Sequence, residues 1–257
     1  MNLSIALVGL VVGIFVGISG VGGSSLMTPL LIVFLRVHPV IAIGTDLLYS
    51  VPTKIVGTVV HAGEKTIDRH LVGWLVAGGI PGALAGLAIA AAAKRHFAIA
   101  TLDGMVRHGV GVALFVGAAV LVASVFVRRQ IGAAAAKPWT RATSARIAVL
   151  GTVVGLAVAI TSIGSGSITM PILYMLLPGY ALRRLVGSDV AFGAILIPIA
   201  AAGHVAMGNV DVPLALNLLV GSIPGVIVGS KLCKYLPERL LRPAVAGVLI
   251  FAGSRLI

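Results

Sequence analysis

The stretch Gly17-Ile-Ser-Gly-Val-Gly-Gly-Ser-Ser25 interrupts an apolar run that otherwise extends from residue 3 to residue 35. As one helix that run would be about 50 Å long, against roughly 30 Å of bilayer hydrocarbon. The chain must therefore bend or turn back at the Gly/Ser stretch. Two half-helices then meet inside the membrane, as one broken crossing or as a helical hairpin. Backbone that leaves a helix at that depth is tolerated only where protein buries it or where it lines a cavity. A second break of the same kind, Thr161-Ser-Ile-Gly-Ser-Gly-Ser167, separates the apolar segments 147–163 and 168–177.

The rest of the chain fits this reading. Of 257 residues, 59% are hydrophobic and 10% charged, where soluble domains have about 45–50% and about 25%. Lys and Arg number 19 against 7 Asp and Glu, a net charge of +12 on a chain whose mean hydropathy is +1.13. Further apolar segments run over 40–60, 71–93, 109–127, 185–205, 212–232 and 243–257, without the alternation of a membrane barrel. The fold class is an all-α integral membrane protein, with about eight transmembrane helices at ~20 residues each plus broken or half helices. Nucleic acid is excluded as a partner, because aromatics are 5% and no solvated basic face with stacking platforms is visible. The lone Cys233 excludes an internal disulfide and a cysteine metal cluster. Residues 1–19 lack a basic n-region and a small-residue cleavage site, and read as mature structure.

The two halves match. A shift of 143 residues places Gly44-Thr45-Asp46 on Gly187-Ser188-Asp189, His61 on His204, Asp68 on Asp211 and Ile80-Pro81-Gly82 on Ile223-Pro224-Gly225. Upstream the shift is 142, and Gly22, Ser25 and Pro29 fall on Gly164, Ser167 and Pro171. Residues 1–127 and 147–257 read as tandem homologous transmembrane repeats, joined by a basic linker loop over 128–146. Parallel halves result if each broken pair crosses the membrane once, inverted halves if it turns back. Matched loops carry similar charge, Arg36 answering Arg183 and Arg184, and Lys94, Arg95 and Arg107 answering Lys231, Lys234, Arg239 and Arg242. By the positive-inside rule this favours parallel halves with those loops cytoplasmic.

Paired, Gly-interrupted segments at matching positions point to a transporter's central site. A half-helix N-terminus offers free N–H groups and partial positive charge, which suits an anion; close packing through small residues is the alternative. The substrate-binding candidates are Ser19, Gly22, Gly23, Ser24, Ser25 and Thr28 at the first break, and Thr161, Ser162, Gly164, Ser165, Gly166 and Ser167 at the second. Asp46 and Asp189 are intramembrane carboxylates, candidates for a coupling proton or for capping a helix N-terminus. Lys54 is the only Lys or Arg well inside an apolar segment, and Ile197 stands at the matching position. It lies on a stripe with Asp46, Ser50, Gly57 and His61, as an anion contact or as a snorkelling side chain. His61 and His204, at the far ends of their segments, are candidates for a gate or proton relay or for interfacial hydrogen bonds, with no metal site implied. Asp68 and Asp211 read as solvated turn residues, and the Pro-Gly pairs as packing kinks or hinges. With no P-loop, nucleophile elbow or zinc-protease motif, the chain is not read as an enzyme and no cofactor is expected.

The motifs Gly17-Ile-Ser-Gly-Val-Gly-Gly-Ser-Ser-Leu-Met-Thr-Pro29 with Ala-Ile-Gly-Thr-Asp46, and Ser162-Ile-Gly-Ser-Gly-Ser-Ile-Thr-Met-Pro171 with Val-Gly-Ser-Asp189, resemble the sulfite exporter TauE/SafE family over nearly the whole chain. The resemblance implies a multi-pass permease of the inner (plasma) membrane. It would be driven by an ion or proton gradient and would move small sulfur-containing or organic anions such as sulfite or sulfoacetate. The expected partners are a small anionic substrate and the lipid bilayer, with a homo-oligomer left open. A passive anion channel and a structural membrane subunit are the competing readings.

Overall fold

The computed structural model describes residues 3–19, 24–131, 139–233 and 238–257. They form helices α1 (Leu3–Ser19), α2 (Ser24–Val33), α3 (Pro39–Gly63), α4 (Arg69–His96), α5 (Ile99–Ile131), α6 (Arg141–Thr161), α7 (Thr169–Leu176), α8 (Leu182–Ala206), α9 (Val212–Cys233) and α10 (Glu238–Ser254). Helices follow from the solvent, since a spanning backbone must bond within itself. Their ends are marked locally. Pro39 opens α3, where its missing N–H costs nothing, and Thr140 caps α6 by accepting the Thr143 N–H. Six helices (α3, α4, α5, α6, α8 and α9) contain stretches long and apolar enough to cross a bilayer. With ten and eight residues, α2 and α7 span only about 15 and 12 Å. Helix also takes up both ends of the 128–146 stretch, since α5 runs to Ile131 and α6 begins at Arg141.

Both breaks turn back. Leu7, Val8, Val11 and Val12 of α1 share one groove with Pro29, Leu30, Val33 and Phe34 on the α2 side, which a continuous crossing would have carried to the far face. In the second hairpin Tyr180, just after α7, lies 6.5 Å from Trp139, just before α6. The helices bearing the matched motifs, α3 and α8, consequently run antiparallel. Thr45, early in α3, accepts the Asp211 N–H just beyond α8 at 3.0 Å; Asp68, just beyond α3, donates its N–H to Ser188 early in α8 at 2.9 Å. The expectation of parallel halves is thus corrected. Loops of similar charge sit on opposite faces, because the hairpins add no net crossing and the loop charges alone do not report the path.

Packing interleaves the two sequence halves. α1 lies parallel to α9, with Gly9 against Leu218 and Gly13 against Ser222, and α4 lies parallel to α6, with Gly78 against Ala148 and Gly82 against Thr152. A Cβ on Gly82 would strike the Thr152 carbonyl, so these pairs use the small-residue contacts that membrane helices rely on in place of a hydrophobic drive. Pro81 and Pro224 lie inside α4 and α9, beside these contacts. Between the parallel pairs, α3 and α8 cross where Gly57 meets Val190 and Gly193 meets the Lys54 stem. Val56, Val59, Val149, Val153, Leu216 and Ile223 are exposed and form the lipid-facing surface.

Gly82→Ala should cost about 1–3 kcal/mol by forcing α4 off α6. Gly73→Ala, on the same helix with nothing within 4 Å, should be neutral or gain roughly 0.5–1 kcal/mol; thermal unfolding in detergent distinguishes them.

The antiparallel path places loops 64–68 and 177–181 on one face together with the end of α5 and the start of α6, which carry Arg128, Arg129, Arg141 and Arg146. That face should be cytoplasmic. In a Cys233→Ser background, an impermeant maleimide applied to intact cells should label Ala98→Cys and spare Ala142→Cys.

Candidate functional site

Asp46 lies two turns inside α3, whose N-cap is His38, and Asp189 lies equally deep in α8, whose N-cap is Ala181. The helix-capping reading of both is therefore set aside. Each motif distributes three tasks along one turn. Gly44 and Gly187 let the opposite loop approach, since a Cβ there would meet Asn209 and Thr66 respectively. Thr45 and Ser188 hold the backbone N–H of Asp211 and Asp68. The aspartates are left facing inward, at 0% and 3% exposure, which only a polar interior can accommodate.

Around Asp46 that interior is built from hydroxyls. Oδ2 accepts Thr28 Oγ1 at 2.6 Å and Ser162 Oγ at 2.8 Å, and Oδ1 accepts Ser50 Oγ at 3.4 Å. The carboxylate thereby joins the returning arm of the first hairpin, its own helix and the turn of the second hairpin. Ser162 reaches it from a left-handed backbone, φ 61°, at the end of α6. The turn then bonds to itself: the Gly164 carbonyl accepts the N–H groups of Ile168 and Thr169 and the Thr169 hydroxyl. Gly166, at φ 93°, occupies the region that favours glycine.

A second polar group lies farther along the same turn. Lys54, 6% exposed, donates from Nζ to Ser165 Oγ at 3.1 Å, and its stem runs across Gly193, where a Cβ would crowd it. It does not snorkel. Asp189 faces Lys54, the Gly166 N–H and the Thr169 hydroxyl, while its Oδ1 is buried without a hydrogen-bond partner; Ser167 Oγ, also buried and unpartnered, lies against Gly117 of α5. Buried polar atoms in native structures are almost always paired, so each of these two is open to a further polar partner.

The remaining candidates lie elsewhere. Thr161 bonds locally, to the Ala157 carbonyl and the Ile163 N–H. His61 bonds Thr66 in the α3–α4 loop at 2.9 Å, and buried His204 bonds the Ala159 carbonyl of α6 through Nε2 at 2.9 Å; neither reaches the carboxylates. Asp68 and Asp211 are more than solvated turns, since their carboxylates take the first N–H groups of α4 and α9. Although partial burial works against it, Asp68 is held below the usual carboxyl range by Tyr180, the Leu71 and His70 N–H groups and nearby Arg184. Burial and that same bond push the Tyr180 hydroxyl up to about 12. Ser19 closes α1, and Ser24 and Ser25 open α2; Gly22 and Gly23 lie outside the described residues. Thr169 was not among the site candidates and could have been found from its place directly after the second break; Ser50 was read as part of the stripe with Asp46 and Lys54, without a role of its own.

The sulfite exporter TauE/SafE family model matches residues 5–256. The chain is 37% identical over 261 residues to the probable membrane transporter protein YjnA of Bacillus subtilis (strain 168), covering 100% of both chains. It is 28% identical over 256 residues to the probable membrane transporter protein YdhB of the same organism, covering 96% of this chain and 98% of the relative. No solved structure matches significantly.

Asp46→Ala should cost about 3 kcal/mol, because the buried Thr28 and Ser162 hydroxyls each lose their acceptor at roughly 1–3 kcal/mol. Ser50→Ala, removing the longest of the three bonds, should cost less than about 1 kcal/mol. Denaturation midpoints of the purified variants test this order.

Proposed function

The chain belongs to the sulfite exporter TauE/SafE family and is a multi-pass membrane transporter, and from that premise we propose that it moves small sulfur-containing or organic anions, such as sulfite or sulfoacetate, across the plasma membrane by coupling to a proton gradient. The observation that carries this reading is the Lys54 to Ser165 contact. The buried Lys54 amine on α3 is brought to the turn of the second hairpin, facing Asp189, whose Oδ1 has no hydrogen-bond partner.

Charge arithmetic supplies the mechanism. Asp46 and Asp189 share with Lys54, which faces Asp189, a water-poor interior where charges interact far more strongly than in water. With both carboxylates ionised the interior is net negative and repels an anion. Protonation of Asp189 releases the Gly166 N–H that faces it. The anion then takes that place, held by Lys54, Ser165 and the Gly166 amide. Each anion travels with a proton. Asp46 keeps its three hydroxyls and holds the hairpins together. The antiparallel α3 and α8, with Thr45 and Ser188 clamping opposite loops, support inverted repeats, and alternating access follows from one repeat rocking against the other.

Sulfite, sulfoacetate, thiosulfate or sulfate should raise the melting temperature of the purified protein, because a ligand of the native state stabilises it. Lys54→Met should weaken that binding about 10- to 100-fold, the scale of a lost charged hydrogen bond, and Asp189→Asn should keep binding while removing its pH dependence. No shift from any of these anions at high concentration would overturn the anion site.

A further inference from the structure

A groove of about 480 Å³ lies between α1, α2 and α10, walled by apolar atoms of Leu7, Val11, Leu30, Val33 and Phe251 and reaching Arg255. It is separate from the polar interior. Leu7, Val11 and Phe251 are each about half exposed, so the groove opens sideways toward the hydrocarbon that surrounds the spanning helices. Its end is basic. The Arg255 guanidinium sits 5.3 Å over the Phe251 ring, the Arg255 carbonyl accepts Arg107 Nη2 at 2.8 Å, and Phe34, which lines the groove, is followed two residues on by exposed Arg36.

We propose that this groove seats one acyl chain of an anionic phospholipid, whose phosphate is held by Arg255 with Arg107 and Arg36 beside it. The apolar walls alone would accept any lipid tail. The three guanidinium groups, at the level where α10 ends and α5 begins, supply the charge that distinguishes an anionic headgroup from a neutral one, and a guanidinium matches a phosphate in geometry as well as charge. Arg255 stacked on Phe251 is already placed at the junction of apolar wall and polar surface. The occupant also has a structural consequence. Pro29 and Leu30 line the groove, directly after Thr28, which bonds Asp46, so a seated lipid braces the first hairpin from behind.

The test uses the full chain, delipidated in detergent and titrated with phosphatidylglycerol or phosphatidylcholine, with melting temperature and lipid retention in native mass spectrometry as readouts. Phosphatidylglycerol should stabilise and be retained more than phosphatidylcholine. Arg255→Gln should weaken its retention about fivefold, the weight of one basic residue at an anionic lipid surface, whereas Arg183→Gln, at the other membrane face, should not. Val11→Trp, which fills the groove, should abolish the lipid response while leaving the fold intact; Leu7→Trp at the open rim repeats the test should Val11→Trp not fold. Equal responses to the two lipids would overturn the proposal, as would an undiminished response in the filled-groove variant. A dimer that Val11→Trp splits would also overturn it, by assigning the groove to a second copy of the chain.

Discussion

A peptide group that leaves its helix inside hydrocarbon has no water to bond, and an orphaned group there costs several kcal/mol. Two interrupted hairpins impose that requirement on this fold, and much of its architecture answers it. In the second hairpin the turn satisfies what it can internally, through the Gly164 carbonyl and its three donors. The hydroxyls left over turn to α3, Ser162 to Asp46 and Ser165 to Lys54. A polar interior is therefore the structural complement of a broken helix.

Holding such hairpins inside the molecule requires close helices around them. The parallel glycine contacts of α1 with α9 and α4 with α6 supply that closeness, and they join helices from opposite halves of the sequence. Gly44-Thr45-Asp46 and Gly187-Ser188-Asp189 complete the arrangement by letting a loop in, clamping its backbone and aiming a carboxylate at the core. Three adjacent residues thus link the membrane faces to the interior, because successive positions on a helix point in different directions.

The helices, the membrane class and the places where two apolar runs break were legible because hydrophobic length and Gly/Ser interruption are local signals. The direction of the halves was not. Loop charge was the only available evidence on sidedness, and it could not report that α2 and α7 fold back beside α1 and α6. Asp46 and Asp189 were recognised as intramembrane carboxylates, while their depth depended on where α3 and α8 begin. Pro39 marks the start of α3 more clearly than Gly44 does, so a motif that looked like a helix start proved to be a second turn. The Lys54 to Ser165 contact joins residues 111 apart in the chain, and no spacing rule reaches that far.

What the matched halves do not share is as informative as what they do. Asp46 has three hydroxyl donors within 3.4 Å, whereas Asp189 has an oxygen with none and a cation facing it. That cation is Lys54, and the matching position on α8 holds Ile197, buried at 1% exposure. A second lysine there would place two ammonium groups in one dry interior and require a further counter-charge. One lysine, contributed by one half, meets the turn of the other. Two similar hairpins therefore differ in what they meet: the first clasps Asp46 through Thr28, while the second turns one hydroxyl to Asp46 and another to Lys54.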